Sequence, residues 1–409
     1  MTVPSPTTHS PEEQRVIDLV DQLVAENDPN GNRADFMGAQ FDLGLAWVHF
    51  PVGLGGLDLP PRYQQLIDER LDAVTPHRPR FFDVLGHGMG APMLVAHGDE
   101  AQQARYLRPM FTGEEVWCQM FSEPGAGSDV AGLATRAIED GDEWVVNGQK
   151  VWTTVAHIAK WGMLVARTDP VLPKHKGMTY FIVDMEAAGV EVRPLRQITG
   201  EAEFNEVYFT DARVPDSNRV GERGDGWRVT LTTLMNERVA IGATPAPRND
   251  GPIGELLEVW SETGGEASSR DRLMRLWVAA EAARLTNLRA YQNRTMGTPG
   301  PEGSTAKLVY AELNKKIYEF AVDLLGAEGM LYDTYAFIQP DPSEEELVDV
   351  RRRFLRARAN SIEGGTSEIM KNILGEQVLR LPGGPRVDKA VAGPDIPRSS
   401  TRARVGGGG

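Results

Sequence analysis

One stretch of the chain gathers side chains able to hold and tune a reactive group, Gln119 to Thr154: QMFSEPGAGSDVAGLATRAIEDGDEWVVNGQKVWTT. A strand-like run ending in Phe121-Ser122 meets a glycine-rich, hydroxyl-bearing turn, Gly125-Ala126-Gly127-Ser128. A Trp152-Thr153-Thr154 step follows further strand-like residues. A dinucleotide fingerprint would need a third glycine opening a helix; Val130 holds that place and the residues after it read as strand, so Rossmann binding is excluded. No Walker-type Gly-Lys-Ser/Thr occurs, and no His, Cys or carboxylate spacing suits a metal. Of the seven histidines, only His157 falls near this stretch.

Two other places carry carboxylates in suggestive company. Met235-Asn236-Glu237-Arg238 lies in a helical stretch, where by residue type Glu237 is equally a base or an ordinary helix-face charge. Arg238 is either a substrate anchor or a carboxylate's partner. Near the C-terminus stands Ser361-Ile362-Glu363-Gly364-Gly365-Thr366-Ser367-Glu368-Ile369. The basic run Arg351, Arg352, Arg353, Arg356 and Arg358 reads as a solvated or intersubunit helix face. Cys118 reads as a small buried hydrophobe.

The elements that must position these residues fall into three passages. The chain has 409 residues, 41% hydrophobic and 25% charged, enough for two or three packed modules. Residues 1–110 read as helical: Ser10-Pro11-Glu12-Glu13 is a capping box with proline at the first helical position, and Val16, Leu19, Val20 and Leu23 follow at helical period. Pro51–Pro61 is a connector before a helix at about 62–74. Residues 111–225 form an all-β module. Its expected hairpin turns at Asn147-Gly148, and further strands are expected near 161–168, 178–184, 190–194 and 205–209. Residues 226–382 return to helices, at about 226–242, 270–296, 304–325, 344–361 and from 366, with a Gly/Pro/Glu-rich loop at 243–269. The tail 383–409 is expected to be disordered. There is no internal repeat.

A net charge of -15 disfavours nucleic acid or an anionic membrane as partner. One cysteine excludes a disulfide framework and fits a reducing compartment. The N-terminal residues lack a basic start with an apolar run, and no run of about 20 apolar residues occurs, so a cytoplasmic protein is expected.

At its spacing, the 119–154 segment resembles the flavin-cradling segment of the acyl-CoA dehydrogenases, and the resemblance runs from about residue 10 to 382. It implies an α+β fold with an N-terminal helical domain, a central β-barrel-like domain and a C-terminal four-helix bundle, holding FAD. It implies that Gln119, Phe121, Ser122, Gly127, Ser128, Trp152, Thr153, Thr154, Thr366 and Glu368 bind the cofactor. Within that set, Ser122 lies beside the reactive edge, Gly127 lets the backbone come close, Trp152 packs on the ring and Thr154 bonds near its N5. An aromatic wall with a few placed hydroxyls suits a flat cofactor.

In the commonest branch of the family the catalytic glutamate directly precedes the Gly-Thr-Ser of the C-terminal signature; here that position is Gly364. A second branch places the base on an earlier helix, as glutamate before arginine, and Glu237-Arg238 matches it. The two departures compensate, so the resemblance implies Glu237 as base and the Gly364 backbone N–H as oxyanion donor. Ser128, Arg238 and Gly365 are the implied substrate contacts. The implied reaction desaturates an acyl-CoA to the trans-2-enoyl-CoA, with electron-transfer flavoprotein as acceptor, in fatty-acid or lipid metabolism.

Asp323 and Ala327 replace the family's usual Gln and Gly, and the Arg-x-x-Phe-Gly step is missing. A homodimer or homotetramer is expected, or a heterotetramer with a second dehydrogenase chain. An acyl-CoA oxidase and a catalytically silent partner subunit are the rival readings.

Overall fold

The structure is a computed structural model describing residues 9–77, 83–241, 246–295, 302–332, 334, 336–339, 349–384 and 391, with the side chains at 237–241, 294, 295 and 302 left undescribed. The chain divides into two compact units, Met1–Trp117 and Cys118–Gly409.

The first unit is helical: α1 (Pro11–Glu26), α2 (Arg33–Asp42), α3 (Arg62–Asp72), α4 (Asp83–Leu85) running into a π-helical turn at Gly86–Gly90, α5 (Ala91–His97) and α6 (Glu100–Thr112). The expected capping box forms: Ser10 Oγ accepts from the Glu13 amide at 3.1 Å and the Glu13 carboxylate accepts from the Ser10 amide. Val16, Val20 and Leu23 of α1 enter a core with Phe36, Leu45, Val48, Tyr63, Ile67 and Leu71, and Leu19 is half-buried against it.

Following β1 (Trp117–Met120), the second unit carries β2 (Arg136–Asp140), β3 (Glu143–Thr154), β4 (Trp161–Arg167), β5 (Met178–Asp184), β6 (Val190–Pro194), β7 (Phe204–Pro215) and β8 (Arg219–Val220). Among the described residues they make one sheet in the order β6-β7-β3-β2-β4-β5-β8, with β1 on β4. Every residue of β4 is buried, as is nearly every one of β5, which is why both read as unbroken apolar runs.

The hairpin does not turn where the sequence suggested. β2 and β3 pair antiparallel from Asp140↔Glu143, so the turn is Gly141-Asp142, with Gly141 at φ 70. Asn147-Gly148 instead lies inside β3 at a break in its register with β7. Asn147 spans that break with two bonds to Asp211: its amide donates to Oδ1 and its Oδ1 accepts from the Asp211 N–H. The close approach of Thr135, whose Oγ1 a Cβ at 148 would meet at 2.4 Å, demands glycine. Asn-Gly thus serves a bulge, which shares the need for an unusual backbone but leaves the strand running.

Helices follow: α7 (Gly226–Ile241), α8 (Pro252–Glu262), α9 (Arg270–Thr295), α10 (Glu302–Leu324), α11 (Val350–Arg356) and α12 (Ser367–Asn372). The stretch expected as a loop at 243–269 contains α8. Pro252 opens it at the first turn, and Ile253, Leu256 and Val259 bury one face. Ile253 and Leu256 join Leu273 and Leu276 of α9 and Ile317, Phe320 and Ala321 of α10 in the helical core. The helix expected at 344–361 is shorter. α11 ends at Arg356, and 340–348 lie outside the described residues. Most of the expected disordered tail also lies outside them.

Candidate functional site

The site grows from the place where the end of β1 meets the end of β3. The Val151 amide donates to the Ser122 carbonyl at 2.9 Å, bringing Phe121-Ser122 beside Trp152-Thr153-Thr154. The turn between them is held by a buried ion pair. Lys150, fully buried, donates to Glu123 Oε1 at 2.9 Å and to the Phe121 carbonyl at 3.1 Å. The Glu123 carboxylate also accepts from the Ala134 and Thr135 amides at 2.6 and 2.9 Å.

Burial pushes the Glu123 carboxyl up, but Lys150 and those amides outweigh it and hold the carboxyl below the ordinary value. Burial also pulls the Lys150 ammonium down, against the attraction of Glu123. Glu123 and Lys150 were absent from the sequence-based site. The signal was there: Trp144, Val146 and Lys150 share the buried side of β3, and a lysine at such a position needs a partner.

Trp152 breaks the strand's geometry. Its φ is +59, its register with β7 shifts between Lys150 and Thr153, and its indole is 58% exposed. Val155 also has positive φ, at 53. A non-glycine residue in the left-handed region costs about 1–2 kcal/mol. Such strain gathers where function requires a side chain to point against the pleat. The neighbouring Thr153 is fully buried, yet its Oγ1 has no hydrogen-bond partner, and neither does Asn205 Oδ1 opposite it. Asn205 spends its amide on the Thr153 carbonyl at 3.2 Å and meets His157 Nδ1 at 3.2 Å, which places His157 beside the stretch as expected.

Further residues fall in two groups. Gln119 and Ser122 are half-buried and Phe121 is buried, while Gly127 and Ser128 are exposed on the turn. A Cβ at Gly127 would meet no atom within 4 Å, so nothing within the chain requires glycine there. Phe121 packs edge-on to Tyr180 of β5 at 5.9 Å, and Tyr180 OH lies 3.2 Å from Thr233 Oγ1 of α7. Position 237 stands one turn further along α7. The side chains of Glu237 and Arg238 lie outside the described residues. Cys118 is buried, and burial pushes its thiol up.

The C-terminal signature folds into a tight turn before α12. Gly364 and Gly365 have φ of 60 and 93. Thr366 caps α12, its hydroxyl accepting from the Ile369 amide at 3.2 Å, and Glu368 is exposed in the first turn. Lys307 of α10 donates to the carbonyls of Asn360, at 2.9 Å, and Gly365.

Glu363 is committed elsewhere: Asn360 Nδ2 donates to its Oε1 at 2.7 Å and Arg356 Nη2 lies 3.0 Å from its Oε2. The arginine run is therefore no solvated face throughout. Arg352 pairs with Glu201 at 2.7 Å and Arg356 with Glu203 at 3.0 Å, both linking α11 to the chain entering β7. Burial raises the Glu203 carboxyl, with Arg356 pulling it down and Glu201 and Glu363 adding to the rise.

These residues fit a flat, electron-accepting cofactor. An exposed indole stands out of the strand, a buried hydroxyl beside it has no partner, and an unhindered glycine turn faces open space. Among the described residues no helix is long and apolar enough to cross a membrane, and no group of three metal-ligating side chains occurs.

Comparison with known proteins gives the same answer along the chain. Models of the acyl-CoA dehydrogenase N-terminal, middle and C-terminal domains match residues 12–114, 118–212 and 224–379. Acyl-CoA dehydrogenase FadE34 of Mycobacterium tuberculosis is 39% identical over 342 residues, 83% of this chain and 45% of that relative, so the chain spans less than half of it. Acyl-CoA dehydrogenase IpdE1 of the same organism is 37% identical over 342 residues, covering 83% of this chain and 85% of the relative. The ChsE4-ChsE5 complex from M. tuberculosis superposes with a TM-score of 0.67 over 92% of this chain and 100% of that one, at 27% identity. The chain belongs to the acyl-CoA dehydrogenase family of FAD-dependent oxidoreductases, with the family's α+β fold.

Proposed function

We propose that the chain desaturates an acyl-CoA thioester between Cα and Cβ, with Glu237 as the base that takes the α-proton. The observation that carries this reading is the engagement of Glu363. Both its oxygens are held by Asn360 and Arg356, and the next position is a glycine, so the C-terminal turn offers a backbone donor in place of a carboxylate base. The base must then come from another element, and α7 presents Glu237-Arg238 one turn beyond Thr233.

FAD, when bound, supplies the acceptor for the hydride that leaves the β-carbon. Gln119, Phe121, Ser122, Gly127, Ser128, Trp152, Thr153 and Thr154 would hold it, with Thr366 and Glu368 from the C-terminal turn. The chain's own residues do the rest. Glu237 removes a weakly acidic proton, which requires a carboxylate made more basic by burial against the acyl chain. The Gly364 N–H stabilises the oxygen on which charge develops. A backbone donor survives the loss of the side chain at 364, so the oxyanion site and the base can sit on different elements.

Gly364 carries no side chain, and a base placed on α7 instead of in this turn favours a branched, bulky or polycyclic acyl group; Gly365 packs against Met370 within the chain. Ser128, Arg238 and Gly365 are its proposed contacts, and electron-transfer flavoprotein is the proposed acceptor of the electrons. Assembly with a second dehydrogenase chain is supported by an apolar groove between α9 and α10, lined by Ala279, Ala282, Ala283, Ala306 and Val309, and by exposed Val278 and Leu285 nearby. Asp323, at the position where relatives reach a neighbour's flavin, pairs with Arg272 at 2.6 Å within the chain. That pairing ties Asp323 up within its own chain and favours a second reading, a catalytically silent partner subunit.

The test is anaerobic titration of the purified chain with straight, branched and polycyclic acyl-CoA esters. Bleaching of the flavin, strongest with a bulky ester, supports the first reading. A colourless chain that acquires flavin only with a second dehydrogenase chain supports the second. Peroxide formed in air would mark an oxidase.

A further inference from the structure

We infer that Arg356 is a positioning residue: through Glu363 it sets the Gly364 backbone N–H, and through Glu203 it ties that N–H to the strand pair carrying Trp152, Thr153 and Thr154. The inference deepens the proposed function and rests on it.

The contacts form one continuous path. Arg356 Nη2 lies 3.0 Å from Glu363 Oε2 and 3.0 Å from Glu203 Oε1, so one nitrogen bridges two carboxylates. Its Nε donates to Glu203 at 3.1 Å as well. On the strand side, the Glu203 carbonyl accepts from the Val155 amide at 3.0 Å, and Phe204 is in register with Thr154. The Arg356 guanidinium sits over the Phe204 ring at 5.5 Å, and Phe204 meets Trp152 edge-on at 5.9 Å. On the turn side, Glu363 is clamped from its other oxygen by Asn360. Lys307 binds the Asn360 and Gly365 carbonyls. Gly364 thus lies between two fixed neighbours, in a left-handed conformation that orients its N–H without help from a side chain.

The cluster is a poor device for stability alone. Glu201, Glu203 and Glu363 face Arg352 and Arg356, three negative charges against two positive. Two buried polar atoms in it, Glu201 Oε2 and Arg356 Nη1, have no partner. Apolar side chains of similar size would join α11 to the sheet at lower cost, because buried ion pairs repay their desolvation only when fully satisfied. What the guanidinium adds is direction: one planar group holds both carboxylates at once, where a packed aliphatic side chain fixes neither.

The test uses the purified flavin-loaded protein and acetoacetyl-CoA, a thioester whose enolate gives a long-wavelength absorption band against oxidised flavin. The pH midpoint of that band reports how well the oxyanion site holds the enolate oxygen, a quantity that a merely structural role does not move. Arg356→Lys and the milder Glu363→Gln are compared with the unsubstituted chain. Flavin content and melting temperature are followed together with the band. The inference expects both variants to stay folded and yellow while the midpoint rises by about one pH unit or more, a loss of about tenfold in enolate stabilisation. An unchanged midpoint in the folded, yellow variants overturns the positioning role. So does loss of flavin and fold in both variants, which would make the cluster a structural staple. If the unsubstituted yellow protein gives no band, the thioester site itself is overturned, and this inference with it.

Discussion

Lys150 Nζ lies 2.9 Å from Glu123 Oε1 in a setting where the lysine is wholly buried, and the pair fastens the glycine turn to the strand that carries Trp152. Removing one partner leaves an uncompensated buried charge, which costs about 3–5 kcal/mol. Lys150→Met should lower the unfolding free energy by that amount in a denaturant titration. It should also release flavin more readily, because Ser122 and Gly127 lose their anchor.

The same pair predicts a pH dependence with a definite sign. The Glu123 carboxyl is held below its ordinary 4.5 in the folded chain, so its contribution to stability is complete above that pH. It is lost as the pH falls through the lower folded value. Urea midpoints measured downward from pH 6 should therefore fall below about pH 4.5, and the fall should be shallower in Glu123→Gln. An equal slope in both proteins would remove Glu123 from the acid response.

Trp152 offers a separation of stability from binding. Its left-handed backbone is strained and its indole 58% exposed, so in Trp152→Gly the relief of about 1–2 kcal/mol of strain offsets much of the loss of the part packed on Phe204. The expected result is a melting temperature of the flavin-free chain close to that of the unsubstituted flavin-free chain, together with a marked loss of bound flavin by absorbance. A variant that keeps its flavin would show that the indole is not a wall of the site.

Gly364 should tolerate a methyl group chemically better than conformationally. At φ 60, alanine costs about 1–2 kcal/mol, but the N–H remains. Gly364→Ala should lose that much stability and still be reduced by substrate, more slowly. Complete loss of reduction in a folded, flavin-loaded Gly364→Ala would argue that the turn's space matters more than its donor.

How far the sequence could be read depended on the range of the interaction. The capping box at Ser10 and Glu13 and the apolar runs of β4 and β5 are local, and they were legible. Asn147-Gly148 was misassigned because a bulge and a hairpin turn demand the same backbone freedom, and only the partner strand distinguishes them. α8 hid behind glycines and glutamates, although Pro252 with Ile253, Leu256 and Val259 carried its pattern. From sequence the arginine run reads as a solvated or intersubunit face because the partners of Arg352 and Arg356, Glu201 and Glu203, lie 151 and 153 residues away. No local pattern reveals a pairing of that length. The positive φ of Trp152 likewise follows from the register of β3 on β7, which the residues of β3 alone do not encode.

The central claim is that the base stands on α7 and not in the C-terminal turn. Its most direct test is anaerobic reduction of the flavin by an acyl-CoA that bleaches the unsubstituted protein, repeated with Glu237→Gln and Glu363→Gln. The account predicts that Glu237→Gln binds flavin and thioester normally but is not bleached, with the rate lower by orders of magnitude, about 10²–10⁴-fold for loss of a general base. Glu363→Gln should still be bleached. Rapid bleaching of Glu237→Gln would contradict the account.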